Sequence, residues 1–201
     1  MKRFMKRLVV VLVALVGTAS CSVLEPKPDT SRYFLLRATA DPAAGAALDD
    51  LIVGLGPVTL PDYLDRNEML DVVGPYELKY SAENRWVEPL GVQVRRTLAD
   101  NLGTMLRPDA VLDYPWFTTD GVALQVEVAF DAIRLDDAGG WVGSAEWVLR
   151  DPASGRALER SDFVIQLGQD AVPPEQVASG MSAELERLSA EISAAVRRHA
   201  R

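Results

Sequence analysis

Two carboxylates, Asp62 and Asp65, lie three positions apart in a short polar segment that follows an apolar stretch ending at Leu60. Two carboxylates in one loop can divide the roles of general acid and general base in a hydrolysis. Such a pair still needs a nucleophile or an oxyanion donor beside it, and no neighbouring residue supplies either. The sequence therefore favours the alternative interpretation, a polar surface loop in which Asp65 forms an ion pair with Arg66.

The chain contains one cysteine, Cys21, and one histidine, His199. Because no other thiolate or imidazole ligand exists in the sequence, a Cys/His zinc cluster is excluded. A Ser-His-Asp or Cys-His triad would have to use His199 at the end of a helix, which is a poor platform for catalysis. The segment Gly54-Leu55-Gly56 lacks the third glycine of a dinucleotide site, and no phosphate-binding loop occurs. We therefore predict a protein without enzymatic activity, cofactor or metal.

The charge balance argues against binding to nucleic acids or to anionic membrane surfaces. Lys and Arg total 21 against 29 Asp and Glu, which gives a net charge of −8, and four of the basic residues lie within the first seven positions. The remainder of the chain is more acidic still, so it is poorly suited to neutralise the phosphates of a nucleic acid. An anionic membrane surface likewise offers it no electrostatic attraction.

The N-terminal residues predict export and lipidation. Residues 1–20 combine a basic start with the apolar stretch Leu8–Val16, which is too short to span a bilayer and is typical of a signal peptide. Thr18-Ala19-Ser20-Cys21 resembles a bacterial lipobox, in which the cysteine becomes the lipidated first residue; an incidental thiol is the alternative. Ser22 at the next position, in place of Asp, favours the outer membrane in enteric-type sorting. Residues 21–31 are thus predicted to be the lipidated cysteine and a short, proline-containing tether.

Periodic apolar positions predict the elements of one domain, residues 32–201. Apolar residues spaced by three or four define two amphipathic helices, one starting near Pro89 and ending before Pro108, the other starting near Pro173. The predicted strands cover residues 33–36, 51–60, 69–73, 76–80, 122–135, 141–149 and 158–167. The last three form a meander with a bulge near Asp131. These elements predict an α+β fold, a largely antiparallel sheet with two amphipathic helices packed on one face.

The positions of turns, glycines and aromatic residues predict further local features of the fold. Turns are expected at residues 74–75, 136–140 and 151–155. The glycines at 54 and 56 indicate a bulge or a close approach, and Pro57 indicates a strand edge. We interpret Trp86, Trp141 and Trp147 as core or sheet-face residues. The connection 114–117, with three aromatic residues, is either an exposed aromatic surface or buried under its loop, and burial is favoured.

Several motifs can be compared with known families. Tyr33-Phe34-Leu35 matches an early Tyr-x-Leu strand, and residues 56–66 match the segment Gly-Pro-Val-x-Leu-Pro-x-Tyr-Leu-Asp-Arg. Residues 85–90 match Arg-Trp-x-Glu-Pro-Leu, and the last helix carries Met181-Ser182 and Leu188-Ser189. Together these motifs resemble the PqiC-like (YmbA-like) family of ABC-type transport auxiliary lipoproteins over nearly the whole chain.

The resemblance implies a role in intermembrane lipid transport. Members of this family accompany mammalian-cell-entry (MCE) type lipid transporters of Gram-negative envelopes, in which an MCE-domain periplasmic protein spans the space between the membranes. The resemblance therefore implies a lipid-anchored, periplasm-facing docking component at the outer membrane that performs no chemistry. The absence of a recognisable catalytic constellation in the sequence agrees with that expectation.

The two most family-like segments, 61–66 and 85–88, lie at the ends of predicted strands rather than along core stripes. Loops held by a rigid scaffold are where recognition residues usually lie. We predict that the two segments lie close together and help to form a contact with the MCE partner or with a second copy of the chain. The alternative is an internal lock, with ion pairs Asp65–Arg66 and Arg85–Glu88. The candidate interface residues are Pro61, Asp62, Tyr63, Leu64, Asp65, Arg66, Arg85, Trp86 and Glu88.

Two other functions stay open for comparison. A periplasmic binding lipoprotein that carries an apolar ligand in its own cavity would need a pocket of roughly 300 Å³ or more. An envelope hydrolase would have to use Asp62 or Asp65, and the sequence disfavours it. Homo-oligomerisation is compatible with the docking function.

Overall fold

The β-strands of the protein divide between two sheets. The structure is a computed structural model that describes residues 28–42, 51–74, 76–116, 120–135, 140–169 and 173–200. The smaller sheet consists, in spatial order, of β1 (Arg32–Phe34), β4 (Glu77–Trp86) and β3 (Glu68–Gly74). The larger sheet consists of β5 (Val111–Asp113), β2 (Val53–Thr59), β6 (Leu124–Leu135), β7 (Gly140–Arg150) and β8 (Ala157–Gln169).

The pairing directions confirm the predicted α+β fold and refine it. The long pairs β3–β4, β6–β7 and β7–β8 are antiparallel, whereas β1–β4, β2–β5 and β2–β6 are parallel. The single sheet that the sequence predicts is therefore two mixed sheets. The parallel pairs join strands far apart in the chain, and such pairs leave no turn signal between neighbouring strands for a sequence to reveal.

Two helices complete the fold, α1 (Leu90–Leu106) and α2 (Pro174–His199). They pack against each other and against the larger sheet. Both predicted stripes are confirmed, because every residue of each stripe is buried. In α1 these residues are Leu90, Val94, Leu98, Leu102 and Leu106, and in α2 they are Val177, Met181, Leu185, Leu188, Ile192 and Val196. Within the described ranges, neither helix is both long and apolar enough to span a bilayer.

The meander of β6, β7 and β8 supplies the other side of the core. Val128 of β6 lies directly opposite Trp147 of β7, and both side chains are fully buried. The strand register shifts between Phe130 and Ala132, which confirms the predicted bulge. The bulge reverses which alternate positions of the strand face the core, so Ile133 is buried after it.

Residues 35–40 cross the two helices without forming a strand, and side chains of the helices satisfy their backbone. Gln93 Oε1 accepts a hydrogen bond from the Leu36 N–H at 2.9 Å, and Ser182 Oγ accepts one from the Arg37 N–H at 3.1 Å. Asn101 Oδ1 accepts from the N–H groups of residues 39 and 40, each at 3.0 Å. The three acceptor side chains are buried, and they explain why polar residues interrupt the apolar helix faces.

The glycines of β2 mark a close approach, as predicted. A Cβ at Gly54 would lie 3.2 Å from the ring of Trp116, and Gly56 has a φ of 127° with the Tyr114 Cβ only 2.4 Å from an added Cβ. The register shift of β2 between Leu55 and Val58 brackets Pro57. Tyr114 itself is exposed, so the expected burial of that aromatic connection is wrong at this residue.

Several predictions lie outside the described residues. They are the signal peptide, Cys21, most of the tether, Phe117, the side chain of Trp141 and most of the turn at 136–140. The buried positions of Trp86 and Trp147 confirm their interpretation as core residues. The described residues from Ser31 onward form one compact unit.

The burial of Val128 gives a direct test of the core. Val128→Asp would place an unpaired carboxylate against Trp147, and we expect it to lower the free energy of unfolding by about 3 kcal/mol or more. Val164→Asp is the matched control, because Val164 is an exposed valine on β8 and should cost about 1 kcal/mol or less. Chemical denaturation of both variants measures the difference. Equal losses would contradict the assignment of the inner face.

Candidate functional site

The loop between β2 and β3 is folded tightly on itself. The Pro61 carbonyl accepts hydrogen bonds from the N–H groups of Leu64 at 2.8 Å and Asp65 at 3.1 Å. Leu64 is only 6% exposed and belongs to the core. The buried leucine anchors the loop, so the polar residues on either side of it are held at defined positions on the surface.

Asp65 fastens this loop to the beginning of α1. The residue that precedes the helix is Pro89, whose side chain offers no hydrogen-bond acceptor for the first N–H groups. Asp65 Oδ1 accepts the Gly91 N–H at 2.9 Å, and the Arg66 carbonyl accepts the Leu90 N–H at 3.3 Å. A Cβ at position 91 would lie 2.8 Å from Asp65 Oδ1, so any larger residue here would push the carboxylate away from its present position. A carboxylate here also interacts favourably with the helix dipole.

Tyr63 fastens the same loop to the larger sheet. Its hydroxyl accepts a hydrogen bond from the Ile133 N–H at 3.1 Å, just beyond the bulge of β6. Its carbonyl accepts one from the Tyr80 hydroxyl at 3.2 Å. Tyr63 therefore joins the loop both to β6 and to β4, and its phenol is an internal connection rather than a free surface group.

The second family-like segment lies beside the loop. The Trp86 N–H donates to the Asn67 carbonyl at 2.6 Å, and the indole is only 3% exposed. Arg85 lies opposite Glu68 in the β3–β4 register, and its Nη1 lies 3.3 Å from Glu68 Oε1. The two segments thus meet through Asn67 and Glu68, the residues that directly follow the first segment.

Glu68 is shared by two arginines. Arg66 Nε lies 3.4 Å from Glu68 Oε2, while Arg85 contacts the other carboxylate oxygen. The guanidinium of Arg66 also lies over the ring of Tyr80, 4.7 Å from its centroid. A hydrogen bond from its own backbone N–H, followed by the effects of Arg66 and Arg85, holds the pKa of Glu68 below its ordinary value of 4.5. Glu68 is therefore ionised at neutral pH and links the two arginines.

These residues surround an open cleft of about 570 Å³. We call it the charged cleft; its lining residues are Asp62, Asp65, Arg66, Asn67, Glu68 and Arg85. Four of the nine predicted residues therefore face one concavity, while the side chains of Leu64 and Trp86 are buried beneath it. Asn67 and Glu68 were not predicted from the sequence. Position 68 is paired with position 85 by the register of β3 with β4, which the local sequence pattern does not reveal.

The ion pair expected between Asp65 and Arg66 is wrong in its partners, and so is the Arg85–Glu88 pair of the alternative internal lock. Arg66 pairs with Glu68 rather than with Asp65, whose carboxylate binds the helix N-terminus. Arg85 also pairs with Glu68, and Glu88 instead accepts hydrogen bonds from Nη1 and Nη2 of Arg96. Glu88 faces a second concavity of about 360 Å³, between residues 35–38 and α1. The structure thus does not bring Glu88 into the charged cleft.

The remaining candidates are placed in structural roles. His199 Nε2 lies 3.0 Å from Glu159 Oε2 in the last turn of α2. Hydrogen bonds from Arg198 and then from His199 lower the pKa of Glu159. Among the residues that the structure describes, no group of three or more His, Cys, Asp and Glu is arranged to hold a metal ion. Two apolar spaces in the described core have volumes of only about 20 and 10 Å³.

The helix-capping role of Asp65 can be tested by its effect on stability. Asp65→Ala removes the acceptor of the Gly91 N–H, and we expect a loss of about 1 kcal/mol in the free energy of unfolding. Asp62→Ala is the matched control in the same loop and should leave stability nearly unchanged, because Asp62 is exposed. Denaturant titration of the two variants measures this. Equal stabilities of Asp65→Ala and the parent protein would contradict the capping role.

Known proteins with the same architecture were identified by comparison. The crystal structure of an uncharacterized protein aligns with a TM-score of 0.64 and 22% identity, covering 83% of this chain and 98% of that chain. The crystal structure of a protein from Xanthomonas campestris aligns with a TM-score of 0.61 and 13% identity, covering 80% and 90%. At these identities the similarity concerns the fold. None of the curated proteins matches this chain.

The family itself is shown by the sequence. A family model described as the ABC-type transport auxiliary lipoprotein component matches residues 33–193, which is most of the chain and nearly all of the predicted domain. The matched region includes both segments that meet at the charged cleft. The chain therefore belongs to the ABC-type transport auxiliary lipoprotein family that its motifs resemble.

Proposed function

We propose that this protein is the non-catalytic, lipid-anchored docking subunit of an MCE-type intermembrane lipid transporter, held at the outer membrane through Cys21. The family, a transport auxiliary lipoprotein component, supports the general role. The MCE partner and the outer-membrane location follow from the sequence resemblance and from Ser22. The charged cleft is the surface at which the MCE-domain protein binds.

The observation that carries this proposal is the pairing of two separate sequence segments around Glu68. Arg66 and Arg85 come from different elements, yet each contacts one oxygen of the same carboxylate. Both guanidinium groups remain at least one-third exposed, with side-chain exposures of 50% and 36%. Arginine is among the residue types that dominate interface energies, and a partner carboxylate can bind the exposed side of each.

The cleft is rigid, which favours recognition. Asp65, Tyr63 and Leu64 fix its wall to α1, β6 and the core respectively. A preorganised surface loses little conformational entropy when a partner binds. The exposed carboxylate of Asp62 beside the arginines adds a charge pattern that opposes an incorrectly placed partner.

The same contacts argue against hydrolysis at this place. A carboxylate that accepts a helix N–H is engaged in the fold, so Asp65 is poorly placed to exchange a proton with a substrate. The carrier function is also less favoured. The two described apolar spaces of about 20 and 10 Å³ are far smaller than the roughly 300 Å³ that an apolar ligand requires. The concavities of about 570 and 360 Å³ are large enough, but they are open and are lined mainly by charged and polar side chains.

The exposed arginines provide the test. Arg66→Ala and Arg85→Ala, singly and together, should leave the melting temperature nearly unchanged, because exposed ion pairs contribute little to stability. The double variant should lose recovery of the MCE-domain protein when the lipoprotein is purified from envelopes. Arg160→Ala is the matched control, since Arg160 is a similarly exposed arginine in an ion pair with Glu146 on the larger sheet.

Four outcomes distinguish the alternatives. Loss of the MCE-domain protein from the double variant alone supports the proposal. Normal recovery by a folded double variant contradicts docking at the cleft. A collapse of the melting temperature, with binding retained by the folded fraction, would make the cleft an internal lock. Loss of self-association instead of MCE recovery would assign the surface to a second copy of the chain.

A further inference from the structure

The outer half of the β3–β4 hairpin projects from the smaller sheet. β1 pairs only with Asn84–Trp86, so residues 77–83 of β4 have β3 as their one neighbour in the described sheet. In this half Leu70 pairs with Tyr80, and Val72 pairs with Leu78. All four side chains from Glu77 to Tyr80 are exposed, on both faces of the strand. A two-stranded hairpin that is exposed on both faces buries little of its own surface.

Large apolar and aromatic side chains lie along this exposed half. Tyr76 at the tip is 100% exposed, and Leu78 and Tyr80, which share one face of β4, are 43% and 37% exposed. Tyr80 is the inner end of the row, because its hydroxyl binds the Tyr63 carbonyl and its ring lies under Arg66. The row therefore runs outward from the cleft loop, and its exposure increases toward the tip.

The direction of β1 relates this tip to the lipid anchor. β1 is parallel to β4, with Arg32 opposite Asn84 and Phe34 opposite Trp86. Followed backward from Arg32, the chain heads in the direction in which β4 runs back to the hairpin tip. The eleven residues from Cys21 to Ser31 span at most about 36 Å when fully extended. Residues 77–84 span at most about 26 Å, so an anchoring bilayer is within reach of the tip.

We infer that the tip of the β3–β4 hairpin, Tyr76 with Leu78, contacts the surface of the bilayer in which the anchor is inserted. Tyrosine suits this position because its ring is apolar and its hydroxyl can remain hydrated at the headgroup level. The full chain has a net charge of −8, and removal of residues 1–20 takes away four basic residues, so the lipidated protein is more acidic still. Electrostatic attraction to anionic lipids is therefore unfavourable, and the contact is apolar and should resist added salt. The inference rests on lipidation of Cys21 and adds to it a defined orientation of the domain.

This orientation has a consequence for the charged cleft. The exposed row continues from the tip to Tyr80, which lies under Arg66 at the edge of the cleft. With the tip on the membrane, the cleft is held about one hairpin length above the lipid headgroups. A lipid anchor at the end of a tether leaves the domain free to rotate, so a second contact site is needed to fix its direction.

The test uses the full-length lipidated protein reconstituted into vesicles of phosphatidylethanolamine and phosphatidylglycerol. An environment-sensitive fluorophore is attached at Tyr76→Cys, since acylated Cys21 has no free thiol. Leu112→Cys is the matched control, because Leu112 is an exposed leucine on β5 of the other sheet. We expect a blue shift and quenching by lipids that carry a headgroup-level nitroxide at position 76 and not at position 112. Adding Leu78→Glu should reduce the quenching, and added salt should not.

The outcomes separate the inference from the proposed anchor. Flotation of the protein with the vesicles tests lipidation by itself, and a protein that does not float refutes both the anchor and the membrane contact. A floated protein with equal, weak quenching at both positions overturns the hairpin contact and leaves the anchor standing. A blue shift at position 76 without lipid quenching identifies a protein contact at the tip and also overturns the inference.

Discussion

The hydrogen bond between the Gly91 N–H and the Asp65 carboxylate is the constraint on which the charged cleft depends. It fixes the loop after β2 to the start of α1, where Pro89 supplies no capping side chain. Because the apolar stripe of α1 is buried in the core, this hydrogen bond also fixes the loop to the core. Arg66, the next residue, is then held where it meets Glu68, whose other carboxylate oxygen contacts Arg85.

The family-like segments thus contain two kinds of residue with different tasks. Leu64 and Trp86 have buried side chains, and the Trp86 N–H also binds the Asn67 carbonyl. The phenol of Tyr63 fastens the loop to β6. The arginines face the solvent, and they share one carboxylate. Substitution of an inward residue would change stability and recognition together, so the exposed arginines alone report on recognition.

The elements with strong local periodicity could be predicted from the sequence. The buried stripes of both helices, the meander and the bulge near Asp131 all follow from patterns within a single segment. The division into two sheets could not be predicted, because the parallel pairing of β1 with β4 joins residues some fifty positions apart. The prediction of ion-pair partners also failed because contacts from distant parts of the chain decide them. Asp65 is adjacent to Arg66 in the chain, but the orphan N–H groups of α1 compete for its carboxylate.

The proposed function assigns the charged cleft to the MCE partner, and the inferred membrane contact assigns the hairpin tip to the bilayer that holds the lipid anchor. The most direct test places a photo-crosslinking amino acid at position 62, on the exposed side of the cleft, in intact cells. Ser154, exposed in the turn between β7 and β8, serves as the control position. The account predicts an adduct with the MCE-domain protein from position 62 and none from position 154. The same adducts from both positions, or an adduct at position 62 only with a second copy of the chain, would contradict it.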